Sequence, residues 1–121
     1  MVIQNLSLLR GDDIVYALAV VDENGSVKSL VGAKLWFTVK DNESDADSAA
    51  KFQLSSTSSD QIEITDDVGG LADIKITNAN TRNLEVKAYV YDVQVKDASS
   101  KISTVTKGTF VIVGDVTRAT A

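Results

Sequence analysis

Four acidic residues at alternate positions, Asp41, Glu43, Asp45 and Asp47, form the densest group of chemistry-bearing side chains in the sequence. Carboxylate oxygens suit calcium, which takes about six to eight oxygens. The helix–loop–helix calcium loop also needs a central glycine and a terminal glutamate. Here Ala46 stands among the acids, and Phe52 and Gln53 follow. The stretch reads as a solvated acidic loop, and no metal ligand set is assigned. Arg10-Gly11-Asp12 matches the integrin-binding tripeptide. Three residues are a weak motif, and Gly11 suits the bend of a strand-entry turn. The 17 acidic residues make paired carboxylates easy to find. A glycosidase also needs an acid of raised pKa and a sugar-gripping cleft, and one Trp, three Tyr and three Phe, most of them in strands, suggest none. The chain has no histidine and no cysteine, so the usual general bases and thiolate nucleophiles are missing. Gly69-Gly70 is a turn pair rather than a phosphate loop. No catalytic or cofactor-binding residue is assigned, and the expectation is a protein that is not an enzyme.

The elements that would carry these residues are strands. Short period-two runs alternate with turn residues. Strands are expected at 2–9, 14–21, 34–40, 51–54, 61–65, 71–77, 84–96 and 102–113. Residues 14–21 are apolar on both faces: Ile14, Tyr16, Leu18 and Val20 point one way, and Val15, Ala17, Ala19 and Val21 the other. In 34–40, Leu35, Phe37 and Val39 share a face opposite Lys34, Trp36, Thr38 and Lys40. Leu71 and Ala72 enter the next clear alternation, with Ile74 and Ile76 facing in. The stretch 84–96 is expected to be the longest strand. Its apolar phase changes from Val86, Ala88 and Val90 to Tyr89, Tyr91, Val93 and Val95, which predicts a bulge or strong bend near 88–90. In the last strand Phe110 and Ile112 face in, and Gly108 is a candidate bulge. One helical turn is expected from Ser44 or Asp45, a polar connection at 78–83 and a polar tail at 115–121. Seven or eight strands without a long amphipathic helix predict an all-β, immunoglobulin-like antiparallel sandwich in one domain over residues 1–121.

Composition narrows the partners. A net charge of −5 disfavours nucleic acid and anionic membrane surfaces. No apolar run reaches the ~18 residues of a membrane-spanning helix. The first ten residues lack a basic leader and a small-residue cleavage site, so no secretory signal is expected. Asn5-Leu6-Ser7, Asn24-Gly25-Ser26 and Asn42-Glu43-Ser44 fit the glycosylation sequon and are read as chance.

Trp36 is the position that says most about binding. By parity it lies with Lys34, Thr38 and Lys40, away from the core face. The outer face of the second strand, with Val15, Ala17 and Ala19, is apolar as well. A sandwich strand normally needs only one apolar face, and aromatic residues concentrate at interface centres. The expected partner interface is Trp36, Lys34, Thr38, Val15, Ala17 and Ala19. The alternative is that a loop or the N-terminal strand covers this surface within the monomer.

Several segments occur in a telling order: Leu9-Arg10-Gly11-Asp12-Asp13, the run from Leu30 to Lys40 containing Leu35-Trp36-Phe37-Thr38-Val39, Tyr89-Val90-Tyr91-Asp92-Val93-Gln94-Val95, Gly108-Thr109-Phe110-Val111-Ile112 and Asp115-Val116-Thr117-Arg118. Together they resemble the immunoglobulin-like N-terminal domain of phage baseplate upper proteins and related tailed-phage virion proteins. The resemblance spans nearly the whole chain. It implies a β-sandwich in the virion that docks onto other virion proteins without catalysis. The long downstream region of the baseplate proteins does not follow Ala121, which favours a capsid cement or decoration protein over a baseplate or tail component. A homo-oligomer, such as a symmetric trimer, would suit a particle. A carbohydrate or host-surface binding module is the third reading.

Overall fold

Alternation along each strand decides which residues enter the core, and pairing decides which layer the strand joins. A computed structural model describes residues 2–114. Its elements, in chain order, are β1 (Val2–Ile3), β2 (Leu6–Leu9), β3 (Ile14–Ala19), β4 (Lys34–Lys40), a 3-10 turn (Asp47–Ala49), β5 (Phe52–Ser55), β6 (Ile62–Asp66), β7 (Leu71–Ile76), α1 (Asn78–Thr81), β8 (Ala88–Lys96) and β9 (Ile102–Val113). The larger sheet runs β5-β4-β8-β9, and both β1 and β2 lie parallel to β9 at its edge. The smaller sheet runs β3-β7-β6. This is an all-β, immunoglobulin-like sandwich, with nine strands among the described residues rather than seven or eight.

The core is the space between the two layers. Leu35, Phe37 and Val39 enter from β4, Val93 and Val95 from β8, Phe110 and Ile112 from β9, and Ile62, Ile74 and Ile76 from the smaller sheet. Phe37 is the hub of an aromatic cluster. Its ring centroid lies 5.2 Å from Tyr91, 6.0 Å from Phe110 and 6.1 Å from Phe52. The Phe37–Phe110 pair is edge-to-face, the arrangement that the ring quadrupoles favour. Tyr89 is buried, and its hydroxyl donates to the Glu85 carbonyl oxygen at 2.9 Å. That hydrogen bond, four residues upstream at the entry to β8, is the tyrosine corner of immunoglobulin-like sandwiches.

The polar connection at 78–83 contains α1. The Thr77 N–H donates to Asn80 Oδ1 at its start. Buried Thr81 then accepts the Gly11 N–H on its hydroxyl oxygen at 2.9 Å. Gly11 has φ +83°, and Arg10 Nη1 donates to the Leu84 carbonyl oxygen. Arg10-Gly11-Asp12 is thus a strand-entry turn docked on α1, with Asp12 exposed at its end.

Several local expectations are corrected. The first strand is split between Ile3 and Leu6. Residues 84–87 are not strand, so the apparent even-numbered phase there belongs to a connection. β9 is the longest strand, and the bulge lies in it: Gln94 faces Thr104 while Val93 faces Thr106, leaving Val105 extra. No bulge or bend interrupts 88–90: β8 alternates without a break from Ala88 to Lys96, and its pairing with β9 is regular there. At the start of β7 Leu71 is 42% exposed, and burial begins at Ala72 and continues through Ile74 and Ile76. The helical turn begins at Asp47, later than Ser44 or Asp45. The expected tail at 115–121 lies outside the described residues.

Gly108 is not a bulge either. A Cβ there would collide with the Gln4 carbonyl oxygen, because the β1–β2 break crosses directly over it. Tyr91 Oη donates to that same carbonyl at 2.6 Å, and Asn5 Oδ1 accepts the Thr109 N–H at 3.1 Å. Gly108→Ala must push the N-terminal strand off this crossing. The expected cost is about 1–3 kcal/mol, read by urea denaturation, with amide protection lost first in β1 and β2. A variant as stable as the parent would mean that the crossing is not tight.

A candidate docking face on the larger sheet

With Leu35, Phe37 and Val39 turned inward, the even residues of β4 face outward. Register places their neighbours directly across: Gln94 and Ser55 beside Trp36, and Asp92 and Gln53 beside Thr38. The Val105 bulge keeps Thr104 and Lys107 on this same outer face, opposite Gln94 and Asp92. Trp36, Thr38, Gln53, Asp92, Gln94, Thr104 and Lys107 line a depression of about 570 Å³, with Glu43 and Asp47 of the 41–50 loop at its rim. Trp36 is part-buried within it. Gln53 Nε2 donates to Thr38 Oγ1 at 2.9 Å, which explains how Thr38 is buried at 7% exposure without an unmet hydroxyl.

The acidic loop is held down by lysines. Lys40 Nζ lies 2.7 Å from Asp47 Oδ1 and donates to the Asp45 carbonyl oxygen. Lys107 Nζ lies 3.1 Å from Glu43 Oε1. Asp41 takes Lys87 at 2.6 Å and Lys51 at 3.0 Å. Asp41, Glu43 and Asp47 therefore pair with different lysines, Asp45 Oδ2 accepts the Asn42 N–H at 3.1 Å, and no acidic metal cluster occurs among the described residues.

Asp41 and Asp92 titrate in opposite directions. The Lys87 and then the Lys51 ammonium hold the Asp41 carboxyl below its usual range. A lowered folded value gives stability that is present above the ordinary carboxylate pKa and lost as pH falls through the folded one. Asp41→Asn should therefore melt below wild type at neutral pH, with the gap closing below about pH 4 in a thermal-melt series. A constant gap across that range would assign the loss to something other than the ion pairs.

Asp92 is the reverse case. Burial raises its pKa, and the Lys40 charge only partly opposes this. Lys40 and Lys107 spend their ammonium groups on Asp47 and Glu43. Among the described residues nothing hydrogen-bonds or ion-pairs with the Asp92 carboxylate. A raised folded value means that the fold gains stability as pH falls from that value toward the unfolded one. Asp92→Asn should melt no lower than wild type at neutral pH, and its advantage should shrink in acid. A lower melting temperature at neutral pH would show that the carboxylate has a structural partner.

The expected interface divides in two. Trp36, Lys34 and Thr38 lie on the outer face of the larger sheet, Lys34 exposed and Thr38 buried. Val15, Ala17 and Ala19 lie on the outer face of the smaller sheet, on the opposite side of the sandwich. They do not form one patch with Trp36. Sequence reasoning missed Asp92, Gln94, Gln53, Thr104 and Lys107, because only strand register brings them beside Trp36.

No family model matches the chain, and no curated protein matches it. Solved structures do match. One is the structure of a family 123 glycoside hydrolase from Clostridium perfringens, described in terms of glycolipid glycan hydrolysis. It is similar at 17% identity and a TM-score of 0.36, over 96% of this chain and 24% of that one. The chain thus spans about a quarter of the length of that enzyme.

Proposed function

We propose that this chain is a non-catalytic structural protein of a tailed-phage particle, a capsid cement or decoration module that binds other virion proteins through the outer face of its larger sheet. The observation that carries the docking part is the setting of Trp36: part-buried in a depression that is also lined by Asp92, whose carboxylate has no partner among the described residues. Holding that carboxylate there costs stability, as its raised pKa records, and a ligand that donates to it would return the cost. An aromatic anchor ringed by polar groups is the composition of an interface centre. The resemblance of the segments around Trp36, Tyr89 and Phe110 to phage virion domains supplies the particle.

The test is co-sedimentation of the purified chain with capsids lacking it, and separately with tails. Saturable binding to capsids with raised capsid heat resistance is expected, since a ligand that binds only the assembled shell stabilises it by mass action. Binding to tails alone would move the protein to the baseplate or tail. The same depression favours a second reading. A depression lined by Trp36, Asp92, Gln94 and Gln53 is also a sugar-binding chemistry, with a ring to stack on and amide and carboxylate groups to hydrogen-bond hydroxyls. Binding to neither particle, with a signal on a glycan array, would select it.

A further inference from the structure

The smaller sheet has an open side. Among the described residues β3 pairs with β7 and with no other strand, because the N-terminal strands that could flank it lie on β9 instead. The Val20 N–H donates to the Gly70 carbonyl oxygen at 2.8 Å. In an antiparallel ladder the bonding direction alternates, so Ile14, Tyr16 and Leu18 also bond toward β7. Val15, Ala17 and Ala19 therefore aim their N–H and C=O groups at the open edge. These three residues also carry the exposed apolar side chains of the strand.

This edge has none of the usual protections. Natural edges are blunted by a lysine, a proline, a bulge or an inward charge. Residues 14–19 contain no charge and no proline, and their register with β7 is unbroken. The inner face is unfinished as well. Ile14, Tyr16 and Leu18 are only part-buried, whereas their direct partners Ile76, Ile74 and Ala72 on β7 are 1–3% exposed. Among the described residues, the side-chain hydrogen bond bridging β3 and β2 is Tyr16 Oη to the Ser7 carbonyl oxygen at 3.0 Å. One more strand on β3 would meet the free backbone groups and cover these three side chains.

Charge says what kind of strand. Asp12 and Asp13 precede β3, and Asp22 and Glu23 follow it. A second copy pairing antiparallel with β3 would bring the acidic start of each strand against the acidic end of the other. We propose that the open edge of β3 is a docking site for an extended segment of a partner protein, with alternating apolar residues and lysine or arginine beyond both ends, added as a fourth strand to the smaller sheet. Main-chain hydrogen bonds would supply affinity, and the apolar alternation and basic ends would supply selection. The site lies on the layer opposite Trp36 and stands or falls independently of the docking face there.

The test uses the isotope-labelled chain and a synthetic peptide, Lys-Lys-Val-Thr-Val-Thr-Val-Thr-Lys-Lys. Hydrogen exchange at the Val15, Ala17 and Ala19 amides should slow at least tenfold on saturation. The counterpart with glutamate ends should need at least tenfold more peptide. N-methylation of one alternate set of peptide amides should abolish the effect, and methylation of the other set should spare it, which tests the edge without altering the protein. Ala17→Pro removes one edge N–H at a position where an edge strand tolerates proline, and should abolish the slowing while the melt stays cooperative. No slowing at millimolar peptide overturns the proposal. Equal slowing by both peptides overturns its charge selection. Slowing that rises with protein concentration alone makes a second copy the occupant and overturns the partner. None of these outcomes touches capsid binding through Trp36.

Discussion

Phe110→Ala should lower the melting temperature by roughly 10–20 °C, from a loss of about 3–5 kcal/mol. Phe110 is fully buried, and its ring meets Phe37, Phe52 and Tyr91 at centroid distances of 6.0, 6.0 and 6.5 Å, each edge-on or nearly so. Truncation removes the apolar surface and leaves a cavity that the flanking strands cannot collapse into, because β4 is held to β8 at seven paired positions and β8 to β9 at nine. The loss of three ring contacts adds to the cavity term. Differential scanning calorimetry measures it. Phe110→Leu, which retains most of the volume, should lose less than half as much. A fall under about 5 °C for the alanine variant would place the stabilising centre elsewhere than this cluster.

Trp36→Ala should do the opposite: little to the fold and much to binding. The ring lies on the outer face, part-buried, so its removal should cost roughly 1 kcal/mol of stability. As the aromatic anchor of the proposed docking face it should carry about 2 kcal/mol or more of binding, a loss of about 30-fold in affinity for the proposed particle partner. Titration of capsids with labelled protein reads the affinity, and a melt on the same samples reads the fold. If the melting temperature falls as far as for Phe110→Ala while affinity is kept, Trp36 is part of the monomer's own packing.

The strands from 34 to 40 and 102 to 113 were legible because their alternation is strong and their ends are marked by turn residues. The inward set Leu35, Phe37 and Val39 needs only a period of two. The bulge was not legible, because Val105 sits in a run, Thr104-Val105-Thr106, with little contrast to betray it. The 84–87 segment misled as well. Val86 continues an apolar pattern, yet the Tyr89 corner bonds to Glu85 and holds that segment out of the sheet. The docking face was half legible. Trp36 stood out by parity on its own strand, but Asp92, Gln94 and Gln53 become its neighbours only through β8 and β5. Val15, Ala17 and Ala19 were rightly seen as an exposed apolar row. Parity along a single strand carries no information on which layer that strand joins, so they were joined to Trp36 across the thickness of the sandwich.

The crossing of Gln4 and Asn5 over Gly108 has a consequence for the order of events during synthesis. Asn5 and Thr109 are 104 residues apart, and the whole edge of the larger sheet depends on that meeting. β1 and β2 leave the ribosome well before their pairing partner β9. Until β9 emerges, the apolar residues Leu6 and Leu8 have no place to dock, and β8 lacks a neighbour on one side. Such distant contacts put the chain among the slow-folding topologies, on the order of milliseconds to seconds. The nascent chain must remain soluble while holding an unpaired strand at each end, which gives its abundant surface carboxylates a task before the fold exists.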